Sequence, residues 1–266
     1  MDLDRIVAPA LVAAVLAGVV VPCEAKILKT KQASQYHEFP LTVGSGFEYE
    51  GDSEEKQYDF PFLIEYGVTR ALTLTMEPDY TVIDKAGAAS IRGLGDLETS
   101  LVYEFVSERR SRPSLSAEVL VKWPTATSDS LTTGEIDYSV GGIISKEFIH
   151  FDVDSEWLYT FVGDPPGVDL TNSSEVSLAL AWHMTRSADL EGEGVTSSGG
   201  GFRGSGRSNL SHLPSDIARE GRQYEWTLGV SQRLGAHFKL EAGYVYKSDG
   251  SWQAVSAWEW NFGEGD

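Results

Sequence analysis

The chain has 266 residues, 11% aromatics, 27 glycines and a formal net charge of −19. That charge argues against nucleic acid and against docking on anionic lipid surfaces, both of which favour basic proteins. The length allows one large all-β domain or two ordinary ones, and abundant glycine with few long apolar runs suits a sheet-rich protein with many turns.

Ile6 to Val21 is an apolar run followed by Pro22-Cys23-Glu24-Ala25. This reads as the h-region and small-x-small cleavage site of a signal peptide over residues 1–25, and the chain is expected to be exported. The run, about 16 residues, makes roughly 24 Å of helix, short of the roughly 20 residues a spanning helix needs. Cleavage after Ala25 leaves a mature chain, residues 26–266, without cysteine, so neither disulfides nor thiolate metal sites hold it. No second apolar segment of spanning length follows, so insertion into a membrane must use strands.

From Gln35 onward the sequence alternates with period two, the pattern of strands with one apolar and one wet face. Leu41, Val43, Ser45, Phe47 and Tyr49 form the first apolar row, and Tyr58, Phe60, Phe62, Ile64 and Tyr66 the second. A short turn at 67–70 leads to Leu72, Leu74 and Met76, and a looser stretch from Pro78 to Gly95 reads as a long loop. Rows then begin at Leu97, Leu115, Ile136, Phe151 and Val176, and late in the chain at Tyr224, Phe238 and Trp252. The last, Trp252 to Phe262, carries Trp258, Trp260 and Phe262 at its end; such aromatics suit a membrane interface.

These are eleven clear strands. Short turns near 67–70, 146–148 and 234–236 alternate with longer connections near 50–56, 80–94, 124–132 and 163–173. Outer-membrane barrels show this asymmetry together with an even strand number. Parity requires one more ascending strand between the Trp182 and Leu228 strands, and residues 189–197 (DLEGEGVTS) are the candidate. Twelve strands are therefore expected. The glycine- and serine-rich stretch at about 198–221 reads as a flexible outer loop, or as a loop that folds in to narrow the barrel.

The faces opposite the apolar rows are dominated by carboxylates, with Lys122, Lys239, Lys247, His150, His183 and His237 among them. A soluble sandwich would also segregate its faces. Export without disulfides, rows of nine residues or more and aromatics near strand ends favour a membrane barrel. The lumen-lining residues expected are Glu98, Glu104, Glu118, Lys122, Asp152, Asp154, Glu225, Glu241 and Glu259.

Two patches resemble a known family. YGVTRALTLTMEP (66–78) is similar to a turn-centred hairpin, and GLGDLETSLVYEF (93–105) followed by VKWPTATSD (121–129) is similar to a GxGD…PTG pattern, with Ala126 where the family has glycine. Together they resemble the outer-membrane transporter family labelled MetA-pathway of phenol degradation (phenol-degradation MetA-like). The resemblance implies a barrel that passes small, often hydrophobic or aromatic compounds.

Chemistry of other kinds finds less support. Ser211-His212 sits in the glycine-rich stretch, where nothing visible would position it as a hydrolase pair. His150 shares a face with Asp152 and Asp154, about 7 Å between alternate side chains, which is either an acid/base or metal site or a histidine solvated among acids. No catalytic, cofactor-binding or metal residues are expected, and no cofactor. The expected function is an outer-membrane channel or transporter for passive passage of small molecules, non-enzymatic, through an acidic, cation-favouring lumen. Its partners are outer-membrane lipid and small-molecule solutes, with no nucleic acid. The alternatives are a closed structural or receptor barrel with no conductance, or an outer-membrane lipid hydrolase.

Overall fold

The computed structural model describes residues 27–33, 40–51, 55–199 and 222–263. The expected signal peptide, Ser211, His212 and most of the glycine-rich loop lie outside these residues.

The described residues form fourteen strands: β1 Leu41–Gly51, β2 Glu55–Thr69, β3 Leu72–Glu77, β4 Asp79–Lys85, β5 Ile91–Leu94, β6 Leu97–Val106, β7 Ser114–Trp123, β8 Asp137–Glu147, β9 Phe151–Phe161, β10 Ser173–His183, β11 Ala188–Ser198, β12 Gln223–Leu234, β13 Phe238–Lys247 and β14 Trp252–Phe262. All pairings are antiparallel, and β1 pairs with both β2 and β14. The sheet therefore closes on itself through β1, and the short β5 pairs with β4 alone among the strands.

Fourteen segments make twelve crossings. β3 and β4 run opposite β2 in one register, Ile64 facing Met76 and Phe60 facing Tyr80. Pro78 separates them because it has no N–H to give the ladder, yet its carbonyl still accepts from Phe62 N at 2.8 Å. β5 and β6 likewise form one crossing, but the register slips by one residue at Gly95-Asp96: Tyr80 faces Leu94 whereas Glu77 faces Glu98. This is a one-residue bulge. The expected loop at 80–94 is thus corrected. It is a hairpin, β4–β5, which period-two reading missed because the bulge reverses the side-chain alternation between Leu94 and Leu97. The twelfth crossing required by parity is β11, paired with β10 and β12 along its length.

The bulge also explains the sequence motif around it. A Cβ on Gly95 would stand 2.2 Å from the Asp79 carboxylate, and one on Gly93 2.2 Å from Thr127 Oγ1. Leu94 exchanges backbone and hydroxyl hydrogen bonds with Thr127, Leu97 N donates to Thr125 Oγ1 at 2.9 Å, and Asp96 accepts from Ala126 N at 3.2 Å and Thr132 Oγ1 at 2.6 Å. The GLGD and PTAT segments are therefore two halves of one interlock at the outer end of the wall. Its function is architectural.

Burial is inverted relative to a soluble protein. Leu228, Trp226, Leu178 and Phe105 are more than half exposed, whereas Glu118 and Glu241 are 2% and 3% exposed. Large contiguous apolar surfaces do not face water in monomeric soluble proteins; this one fits lipid outside and water inside. Aromatic rings form two belts. Phe47, Tyr49, Tyr58, Phe60, Tyr80, Tyr244 and Trp252 touch one another toward the outer-loop end, and Phe238, Trp258, Trp260 and Phe262 toward the short-turn end. The molecule is a closed, twelve-crossing antiparallel barrel of the outer-membrane type.

Candidate functional site

Inward side chains alternate with the outward apolar ones, so each strand projects every second residue into the lumen. Cations there are met by carboxylates of the wall, on the same strand or on strands one or two places away. Lys122 Nζ lies 2.5 Å from Asp137 and 3.9 Å from Asp96, and Lys239 bridges Glu241 and Glu191. Toward the rims Lys247 pairs with Glu50, and Lys146 with Glu108. His150 is exposed in the β8–β9 turn and is not part of an acid cluster. The histidine beside Asp152 is instead His183, with Nε2 3.4 Å from Asp152 and Nδ1 2.9 Å from Asp189. Pairing of β10 with β9 and β11, not spacing along one strand, brings His183 to these acids. Among the described residues no group of three or more His, Cys, Asp or Glu side chains is arranged to hold a metal ion.

The main feature of the lumen is a segment that no strand contributes. Residues 27–33 (ILKTKQA) cross it from the β11–β14 wall to the β6–β9 wall. Ile27 N donates to Glu241 Oε2 at 2.8 Å. Glu193 accepts from two successive main-chain N–H groups, Lys29 at 3.1 Å and Thr30 at 2.6 Å, and from the Thr30 hydroxyl at 2.5 Å. Lys31 N donates to Glu156 at 2.8 Å, and Ala33 N to Ser145 Oγ at 2.7 Å. The Ala33 carbonyl accepts from Ser116 Oγ. Lys29 Nζ reaches Glu225 at 2.6 Å, while Lys31 Nζ reaches Glu118 at 2.5 Å and Ser100 at 3.2 Å. Orphaned main-chain donors in a closed interior are costly, and here carboxylates of β9, β11 and β13 and a serine of β8 take five of them.

Each end of the segment enters an apolar socket. Ile27 packs with Val245, Val255 and Ala257, and Ala33 with Val102 and Ile143. The first socket depends on the absence of side chains at Gly229 and Gly243, which face each other across β12 and β13. A Cβ there would stand 2.1 Å and 3.3 Å, respectively, from Ile27 Cδ1.

The segment divides the lumen in two. A cavity of about 570 Å³ lies toward the outer-loop end, lined by Lys29 and Lys31 from the segment and by Glu48, Glu65, Glu77, Glu98, Lys122, Asp137, Glu156 and Glu175 from the wall. A cavity of about 200 Å³ lies toward the short-turn end, lined by Thr30 and Gln32 and by Glu65, Asp154, Glu191, Lys239, Glu241 and Glu259. Alternation along an extended chain gives the segment its two faces, lysines outward and neutral groups inward.

The expected lining residues fall into three groups. Glu98 and Lys122 border the larger cavity, and Asp154, Glu241 and Glu259 the smaller one. Glu118, Glu225 and Glu241 hold the segment. Asp152 pairs with His183, and Glu104 lies near the inner end of β6 in the inward row. Strand alternation alone does not place Lys29, Lys31 or Glu193 in the lumen. The signal available was the alternation of Ile27, Lys29, Lys31 and Ala33 just before a barrel with a surplus of inward acids.

No family model and no curated protein matches the sequence. Solved structures do. The fold is similar to the COG4313 outer membrane channel from Pseudomonas putida F1, with a TM-score of 0.64 at 13% identity over 86% of this chain and 98% of that one. It is also similar to the NanC porin, with a TM-score of 0.57 at 10% identity over 84% and 99%. A third likeness is to the KdgM porin in complex with disordered oligogalacturonate, with a TM-score of 0.53 at 9% identity over 84% and 99%. At these identities the shared property is the barrel fold.

Proposed function

We propose that this protein is an outer-membrane channel for passive passage of small molecules, non-enzymatic, with a lumen that favours cations. The observation that carries this reading is the two-chambered acidic lumen inside a closed wall. Carboxylates on nearly every strand, in a confined passage with low-dielectric walls, raise the local cation concentration and oppose anions. The structural likeness to channels and porins supports the same reading. The residues setting selectivity are Glu98, Asp154, Glu259 and their neighbours lining the cavities, with Glu104 and Asp152 toward the inner rim. The MetA-like resemblance of the turn motifs extends the proposed solutes to small aromatic compounds, those bearing an amine suiting the lumen best.

One observation favours a second reading, a barrel closed at rest: the segment 27–33 lies across the lumen, bonded to both walls. The two readings separate in a planar bilayer. Mature protein refolded and inserted under a salt gradient should show discrete steps with a reversal potential favouring cations. Verified insertion without current, in both the intact protein and a form lacking residues 27–33, would overturn the channel.

A further inference from the structure

The segment 27–33 is itself a ligand of the lumen, and its contacts describe what the lumen binds. Five main-chain N–H groups, two ammonium groups and one hydroxyl of the segment are taken by side chains of seven strands, β6 to β9 and β11 to β13. The two ammonium groups project to the same side, two residues apart, onto Glu225 and Glu118. Between them Glu193 grips consecutive N–H groups as a fork. Apolar sockets at Val245, Val255 and Ala257 and at Val102 and Ile143 fix the ends. An acidic cluster alone would attract any cation. This one is arranged as a track with a length, a spacing and end stops, and it is seen occupied.

We infer that the track is a binding site for linear polycationic chains, lysine-bearing extended peptides in the first place, which enter by displacing residues 27–33. The inference rests on the reading of the barrel as a channel and names its substrate class. Displacement leaves the wall groups satisfied, because the incoming chain supplies the same N–H and ammonium donors that the segment withdraws. A neutral solute of equal size would strand Glu118 and Glu193 in a closed interior, at the penalty that attends buried charges left unpaired. The segment then acts as a selectivity filter by competition: a solute that replaces its contacts widens the passage.

The test uses the mature chain carrying Ile27→Ala and Lys31→Gln, which loosen the segment at one socket and one ion pair. A fluorescent heptapeptide with the sequence of residues 27–33 is titrated against the refolded barrel in detergent. Saturable binding is expected, and the same peptide with both lysines replaced by glutamine should bind about tenfold more weakly or worse. Displacement of the labelled peptide by spermine would support ammonium spacing as the recognised feature, and resistance to spermine would support the main-chain track. Should the double variant not refold, a fluorophore at Gln32→Cys in the otherwise unaltered chain reports displacement directly when peptide is added. Absence of saturable binding in whichever form folds, or equal binding of the glutamine peptide, overturns the inference. Peptide binding with no current in the intact chain or in a form lacking residues 27–33 overturns the channel and leaves the site; conductance untouched by peptide, with no binding, does the reverse.

Discussion

Ile27 Cδ1 sits 2.1 Å from where a Cβ on Gly229 would stand. The barrel wall is therefore shaped around the segment that crosses it. A glycine in mid-strand sacrifices side-chain packing and costs backbone entropy, and here the space it leaves is filled by the isoleucine.

Gly229→Ala should expel Ile27 from its socket. The added Cβ would also approach Ala242 O at 2.9 Å, so the wall must shift slightly. Burial of a side chain the size of isoleucine is worth about 1.5–3 kcal/mol, and losing it should raise exposure of the segment by an order of magnitude or more. Protease cleavage of the segment from the periplasmic side, or rising single-channel current, checks this. An unchanged cleavage rate with the barrel folded would mean that the socket contributes nothing to seating.

Lys31 and Glu118 form a buried pair, with side chains 13% and 0% exposed. Removing one partner of such a pair costs about 3–5 kcal/mol because a charge is left without compensation. Lys31→Met should therefore lower thermal stability in detergent more than Lys31→Met combined with Glu118→Leu. The double-mutant cycle measures the coupling, and additive single effects would show that the pair is not a unit.

Lys29 and Glu225 make a contrast. The Lys29 side chain is 55% exposed to the outer cavity, so this pair is screened and worth at most about 1 kcal/mol. Lys29→Met should leave the unfolding temperature nearly unchanged, while ion selectivity shifts further toward cations because a positive charge leaves the cavity. Reversal potentials under a salt gradient give the measurement.

Selectivity should follow the acids that line the larger cavity without holding the segment by a hydrogen bond. Neutralising Glu48, Glu77, Glu98 and Glu175 together should lower cation preference several-fold at low salt and less at high salt, where screening removes the difference. A reversal potential identical to that of the parent at low salt would count against the acidic-lumen account.

Asp96 ties the two halves of the outer interlock, and Asp96→Ala removes acceptors for Ala126 N and Thr132 Oγ1. Hydrogen bonds to a charged group are worth about 1.5–3 kcal/mol each. The expected result is a barrel that still inserts but unfolds at lower temperature, with Asp96→Asn intermediate.

The barrel was legible in the sequence because its physics is local. Period-two alternation follows from strand geometry at every residue, so Trp252 to Phe262 or Tyr58 to Tyr66 declares its two faces without reference to partners. Parity and turn length then required a strand at 189–197, where the apolar signal of Leu190 and Val195 was weak. The β4–β5 hairpin is hidden in the sequence at Gly95-Asp96, because a bulge there breaks the period of two. His183, not His150, meets Asp152, since pairing across strands depends on register. Above all, only the tertiary structure put Ile27 to Ala33 inside. A segment that follows the strand alternation yet belongs to no strand finds its place through distant partners, Glu241 at 214 residues' separation and Ser145 at 112. Such contacts exist only once the ring has closed and set opposite walls within reach of one extended chain.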